Sequence, residues 1–478
     1  VTERLAWLRS RVAKLGYLGG ESTYTRADWS TLSYTPDQLL ETDLGNLRAR
    51  SRDLVRNSAL AAGLMATYVD NVVGPGFSCV PSPRAAVLGL DESVVEAFRA
   101  AAEDAWEDWG SFADVAERTD WAGLQRMIEW SALEGGDVLV HFTRRDKRAA
   151  YWQLGVELVE AERIRSSAYD PDWTMGVLLG TGGQHVAFKV WPGFTAFVGE
   201  PVIVRRWDRD GQVSELYHFQ GRPGQTRGIP LLTPILPLFR DLDDYLEAEV
   251  VAAVQAACIS SVVKTTNPAV AASGRLSETS EDGNRIEEFR PGQIEYLAQG
   301  EELQTYNPQR PGNTFDPFVM RLTRMICRGI GLPYELGALD FSQTNYSSAR
   351  AALIEVRRTF QARQRHFTTR INQPVYQMVI REAREKGRFD MIPDEVWAAN
   401  EYELYRADWV APGWGWVDPK AEVEAAVLAI ENGLSTREIE ARRATGRSWR
   451  NHLLGEIKAE RKEMLGMGVV DVGQKPTA

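Results

Sequence analysis

The sequence predicts an α+β protein, on three observations. Apolar residues recur at helical spacing in several long segments. Strand-like runs cluster in one stretch, 137–220. A polar, acidic, turn-rich segment at 265–313 is inserted between two helices. The 478 residues, 44% hydrophobic and 25% charged, suffice for about three folding units, and 15 tryptophans are at hand to fill a core.

Residues 1–50 are polar with scattered aromatics (Tyr17, Tyr24, Trp29, Tyr34) and read as an extended arm that packs on something else. The opening "VTERLAWLRSRVAKLGYLGG" is amphipathic and charged without an apolar centre, so it is not expected to be a signal peptide. From Leu47 the pattern turns helical, with Leu54, Leu60, Leu64, Met65 and Tyr68 on one stripe, and Gly74-Pro75-Gly76 stops it. A second helix is written in "ESVVEAFRAAAEDAWEDWG". Val94, Val95, Phe98, Ala102, Ala105, Trp106 and Trp109 share one face there, a stripe that serves a core. Glu134-Gly135-Gly136 ends a helix. "DVLVHFTRR", "YWQLGVELV", "HVAFKVW", "PVIVRRW" and "SELYHF" follow as strands, with "GTGG" at 180–183 as a turn between two of them. His141, His185 and His218 fall inside strands, and no metal-ligand spacing accompanies them.

"GRPGQTRGIPLLTPILPLF" is a glycine-rich loop before a helix, but it lacks the G-x-x-x-x-G-K-[ST] of a phosphate-binding loop. The following helix carries Leu238, Leu242, Leu246, Val250 and Val254 every four residues, with alanines that allow close approach. Asp241, Asp243, Asp244, Glu247 and Glu249 crowd its first half. The like-charge pair Asp243/Glu247 costs a few tenths of a kcal/mol, about what acids gain near a helix N-terminus, so helix stability does not explain the cluster. A solvated face and a wall that repels a polyanion both fit. Residues 265–313 read as a small projecting α/β lobe in which "QIEYL" forms a short strand. A returning helix, "FDPFVMRLTRMICRGIGLP", has Met320, Leu322, Ile326 and Ile330 on its apolar face. Arg321, Arg324 and Arg328 form a basic stripe at i, i+3 and i+7, and Pro333 ends the run.

Ser342, Thr344, Asn345, Ser347 and Ser348 then crowd the start of another helix. A nucleophilic serine needs an adjacent base. The G-x-S-x-G elbow is absent, and His366 lies roughly 27 Å further along the same helix from Ser348 at 1.5 Å per residue. Thr344, Asn345, Ser347 and Ser348 are better read as candidate helix caps. The helix runs from about Ser347 to Lys386, and Pro374 predicts a kink near Arg370. It carries nine Arg and Lys against three Glu in a chain of net charge -11, fit to meet a neighbouring subunit or line a DNA path. The three cysteines, Cys79, Cys258 and Cys327, form no disulfide framework or zinc spacing, and a reducing cytosolic origin is expected. No apolar run reaches the roughly 18 residues of a membrane span.

Helix, projecting lobe, returning helix, loop and long kinked helix, in this order, resemble the portal proteins of tailed phages, the lambda-type family in particular. The matching stretches are "LRARSRDLVRNSALAAGLMATYVDNVVGPGF", "GQTRGIPLL", "YLEAEVVAAVQAA", "GLPYELGALDFSQTNYSSARAAL" and "GWGWVDPKAEVEAA". The resemblance implies a portal fold. Beyond the arm at 1–50, it has a β-rich wing at 51–235, stem helices at 236–262 and 316–332 and a clip at 263–315. A tunnel loop at 333–346, the long helix at 347–386 and a helical wing and crown region at 387–478 complete it. It further implies a homo-oligomeric ring, usually a dodecamer, at one capsid vertex of the virion, made in the host cytoplasm. Double-stranded DNA would pass through its channel during packaging and ejection. The terminase large subunit and a neck or adaptor protein would dock on the clip, whose acids are Glu278, Glu281, Asp282, Glu287 and Glu288. The major capsid or scaffold protein would surround the ring, with no membrane, cofactor or metal involved. Asp340, Phe341, Ser342, Gln343, Thr344, Asn345 and Tyr346 would face DNA from the tunnel loop. Asp241, Asp244, Glu247, Arg321, Arg324 and Arg328 would be the charged stem residues.

A pI of about 5.3 argues against a protein held to nucleic acid by a broad basic surface, yet suits a conduit that must let DNA slide. The competing readings are a cytosolic serine hydrolase using Ser347 or Ser348 and a scaffold protein without a channel.

Overall fold

The computed structural model describes residues 33–145, 151–166, 170–194, 199–207, 213–258, 262–265, 278–279, 285–286, 301–304, 315–414, 419–445, 449 and 453–466. Helix α1, Pro36–Asn57, begins eleven residues before the helical pattern was expected, so 36–50 are helical rather than an extended arm. The reason is local. Thr35 accepts from the Gln38 N–H while the Gln38 side chain accepts from the Thr35 N–H, and Pro36 opens the first turn. Ser58 then breaks the expected single helix in two by capping α2, Ala59–Val72. A short strand β1 (Ser78–Pro81), α3 (Ala85–Leu88), α4 (Glu92–Gly110) and α5 (Trp121–Gly135) follow. On α4, Val95, Phe98, Ala102, Ala105, Trp106 and Trp109 are buried. Trp106 packs its ring against Trp109, Trp121, Tyr376 and Trp409 at centroid distances of 5.3 to 6.1 Å.

Two antiparallel sheets come next. One is ordered β3-β2-β8, from β2 (Asp137–Arg144), β3 (Leu154–Glu160) and β8 (Glu215–His218). The other is ordered β4-β5-β6-β7, from β4 (Trp173–Thr174), β5 (Val177–Leu179), β6 (His185–Val190) and β7 (Val202–Arg205). Alternation along β2 divides its side chains. Val138, Val140 and Phe142 join the main helical core, while Leu139 enters a second core with Val159, Val177, Phe188, Val204 and Leu216 between the sheets. The three-stranded sheet is thus buried on both faces. "GTGG" is the turn between β5 and β6.

Helix α6, Leu236–Cys258, leads out to an inserted lobe, and α7, Phe315–Gly329, returns antiparallel to it. In the lobe, β9 (Val262–Thr265) pairs with β12 (Glu301–Gln304), and β10 (Glu278–Thr279) pairs with β11 (Arg285–Ile286). The strand expected at 293–297 lies outside the described residues. After a loop come α8 (Tyr334–Gly337) and α9 (Tyr346–Phe367). A π-helical turn, Thr368–Asn372, and α10, Gln373–Glu385, continue α9. Pro374 has no N–H to return to the Arg370 carbonyl, so the expected irregularity falls where that bond is missing. Helix α11 (Asp394–Leu404) precedes β13 (Ala407–Val410), which pairs with β1 and ties the C-terminal half to the first helices. Helices α12 (Pro419–Glu431), α13 (Arg437–Thr445) and α14 (Leu454–Gly466) complete the described elements.

Candidate functional site

The candidate site is the loop between α7 and α9 with the charged helix faces beside it. Gly331, at φ +80°, lets the chain leave α7, and Leu332 is buried. The loop is folded on itself by polar bonds. Tyr334 Oη donates to Asp340 Oδ2 at 2.8 Å, and Ser342 N donates to Asp340 Oδ1 at 3.0 Å. These bonds from Ser342 and Tyr334 hold the Asp340 carboxyl below its ordinary range. Thr344 Oγ1 donates to Glu335 Oε1 at 2.9 Å. The apolar side chains of the loop turn out: Leu339, at φ +51°, is 71% exposed and Phe341 45% exposed. Ser342 and Gln343 are exposed, and Tyr346 begins α9.

Of the four candidate caps, the structure uses Asn345, whose Oδ1 accepts from Ser348 N at 2.9 Å. Ser347 and Ser348 stand exposed in the first turn of α9. His366 is near the other end of that helix, its Nε2 bonded to the His218 carbonyl at 3.0 Å, so it reaches neither serine. The hydrolase reading has no support.

The free faces of α6 and α7 are separated by charge. On α6, Asp241, Asp243, Asp244 and Glu247 are exposed, and Arg240 pairs with Asp244 at 2.8 Å. On α7, Arg321, Arg324 and Arg328 are exposed. Arg324 lies over the Tyr334 ring at 5.1 Å and so joins the basic stripe to the loop. In the lobe, Glu278 sits in β10, while Glu281, Asp282, Glu287 and Glu288 lie outside the described residues.

Two buried ionic clusters, not anticipated from the sequence, tie α1, the 225–228 loop and α9 to the sheet of β2 and β8 and to α5. Asp137, fully buried, receives Arg227 through two bonds of 2.8 Å, Arg48 at 3.0 and 3.1 Å, and the Gly228 N–H at 2.8 Å. Burial works against its charge, but Arg227 and Arg48 overcome this and hold its carboxyl well below the carboxylate range. Burial also lowers Arg48 to about 10, with Asp137 opposing the shift. Gly136 and Gly228 touch backbone to backbone, where a Cβ on Gly228 would fall 1.8 Å from the Gly136 carbonyl oxygen. The second cluster pins α9. Glu129 accepts from Arg363 at 2.7 Å and from Tyr217 Oη at 3.0 Å, while Arg363 lies over the Phe219 ring at 3.8 Å. A single charge at the head of an apolar run (Asp137 before Val138) and an arginine fenced by a glycine (Arg227-Gly228) are the signals that could have found the first cluster.

Residues 23–364 match the family model described as phage portal protein, lambda family. The chain belongs to the lambda family of phage portal proteins. Portal protein B of Escherichia phage lambda is 25% identical over 467 residues, covering 89% of this chain and 86% of its own length. The portal protein of Escherichia phage N15 is 25% identical over 465 residues, with the same coverage. The probable portal protein of Halomonas phage phiHAP-1 is 23% identical over 406 residues, covering 83% and 76%. Among solved structures, a chain from the neck of a native gene transfer agent particle, computed with C12 symmetry, aligns with a TM-score of 0.39 at 10% identity, over 84% of this chain and 92% of that one. The matched span of this portal protein includes α6, α7, the lobe, the loop and the start of α9. Among the described residues, no group of three or more His, Cys, Asp or Glu side chains could hold a metal ion, and no helix is long and apolar enough to cross a membrane.

Proposed function

We propose that the chain assembles as a closed ring of twelve copies at one capsid vertex of the virion, and that double-stranded DNA passes through the ring during packaging and ejection. The observation that carries this reading is the portal-family match over 23–364. The lobe at 263–315 is the docking surface for the terminase large subunit and later for a neck or adaptor protein, and the wing meets the major capsid or scaffold protein. The loop at 333–346 borders the channel. Its outward groups suit that place: Phe341 and Leu339 are apolar, and Ser342 and Gln343 are neutral. None of these four binds phosphate as an ion, so moving DNA meets little that would hold it.

The test is a deletion within 338–343. Rings should still form, because the buried cores lie elsewhere, while packaging slows or packaged DNA escapes. Wild-type packaging rate and DNA content per capsid in this variant would make the loop a passive connector. Charge reversal of Glu287 and Glu288 should leave the ring intact and weaken motor binding. Unchanged motor affinity at low and high salt would remove the lobe from that role.

A further inference from the structure

The free faces of α6 and α7 carry opposite charges. The two helices pack antiparallel, with Tyr245 against Phe315 and Phe318 at ring centroids 5.8 and 4.8 Å apart and Ile235, in the turn just before α6, against Gly329. Each buries one side in this way and turns the other outward. On α6 the outward side bears Asp241, Asp244 and Glu247, and Val250, Val251 and Val254 continue it toward the lobe at 63%, 49% and 57% exposed. On α7 it bears Arg321, Arg324 and Arg328, flanked by Phe318 and Met325 at 46% and 45% exposed. The two contacts that fix the antiparallel register place Arg321 level with the stretch from Asp241 to Asp244. Contiguous half-exposed valines beside a mainly acidic row, in which Arg240 is the basic member and pairs with Asp244, mark a protein contact.

We propose that these faces are the two halves of one head-to-tail contact between copies of this chain. The acidic and valine face of α6 on one copy packs against the arginine face of α7 on the next. A contact between two copies of the same face is disfavoured, since it would set acid against acid or arginine against arginine. A contact between two different faces propagates around a ring and closes where the rotation allows. The inference rests on the ring reading above and deepens it. It takes both charged rows out of the DNA-facing role and gives them to the neighbouring subunit.

Two variants test it: Asp241→Arg/Asp244→Arg/Glu247→Arg, and Arg321→Asp/Arg324→Asp/Arg328→Asp. Alone, each presents like charges on both of its faces. Each should lose at least tenfold of its ring fraction by sedimentation at moderate salt, with helical content unchanged by circular dichroism. Mixed in equal amounts, they offer each other opposite charges at every junction and should recover rings containing the two chains one to one. Wild-type ring fractions in both separate variants would overturn the proposal, as would a folded mixture that stays dispersed. So would an arginine variant that forms normal rings and loses only DNA retention, which would place that face in the channel. A wild-type chain that forms no ring would overturn the ring reading itself, and the contact with it.

Discussion

Replacing Asp137 with asparagine keeps the shape of the side chain and removes its charge. Arg48 and Arg227 would then face each other at 5% and 1% exposure without the carboxylate that bridges them, and a carboxylate oxygen that accepts from Arg227 Nε and Gly228 N would become an amide nitrogen or lose strength as an acceptor. Removing one partner of a buried ionic cluster costs about 3–5 kcal/mol, because the remaining charge stays buried. At roughly 2–4 °C per kcal/mol for a unit of this size, the unfolding midpoint should fall on the order of 10 °C. The comparison is Glu355→Ala, which removes a pair with Arg358 whose side chains are 74% and 73% exposed and which should leave the midpoint in place. Differential scanning calorimetry of the three proteins at neutral pH decides it. If Asp137→Asn shifted the midpoint no more than Glu355→Ala, the buried cluster would not be what joins α1, β2 and the 225–228 loop.

Three further outcomes follow from the same geometry. Asn345→Ala should cost about 1 kcal/mol through loss of the α9 cap, whereas Ser347→Ala and Ser348→Ala should change stability little, as chemical denaturation will show. Gly228→Ala should destabilise at least as much as Asp137→Asn, since its Cβ would strike the Gly136 backbone; soluble yield and midpoint measure this. The acid response should begin at histidine. Burial, with His218 and Arg206 adding to it, lowers His185 to about 4, and burial, with Arg370 adding to it, lowers His366 to about 4. The unfolded state therefore binds more protons between about pH 6.5 and 4, so the stability these neutral rings contribute is present above pH 6.5 and lost as pH falls toward 4. Asp137, with its depressed folded pKa, keeps its contribution until more strongly acid pH. A His185→Asn/His366→Asn variant should flatten the midpoint-against-pH curve over that window.

The elements with strong periodicity were legible in the sequence. The α4 stripe, the strands between 137 and 218, the helices α6 and α7 and the irregularity before Pro374 all stand where spacing and proline chemistry place them. The start of helix α1 is hidden from periodicity because the Thr35-Pro36-x-Gln38 sequence sets it by capping rather than by an apolar stripe. The cap of α9 was narrowed to four residues but not to Asn345, because Ser, Thr and Asn offer the same acceptor at neighbouring positions. The buried clusters at Asp137 and Glu129 were invisible for a different reason. Their partners lie from 88 to 234 residues away in sequence, and nothing local pairs them. The opposite charges of α6 and α7 were plain in the sequence, but which of those residues face outward depends on how the two helices pack.

The central claim is a closed ring, and the mass and symmetry of the purified chain test it most directly. Native mass spectrometry with class-averaged electron micrographs should give particles near twelve times the 53.5 kDa chain mass, with rotational symmetry around an open centre. A chain that remained single or paired at high concentration, with no annular particles, would contradict the account.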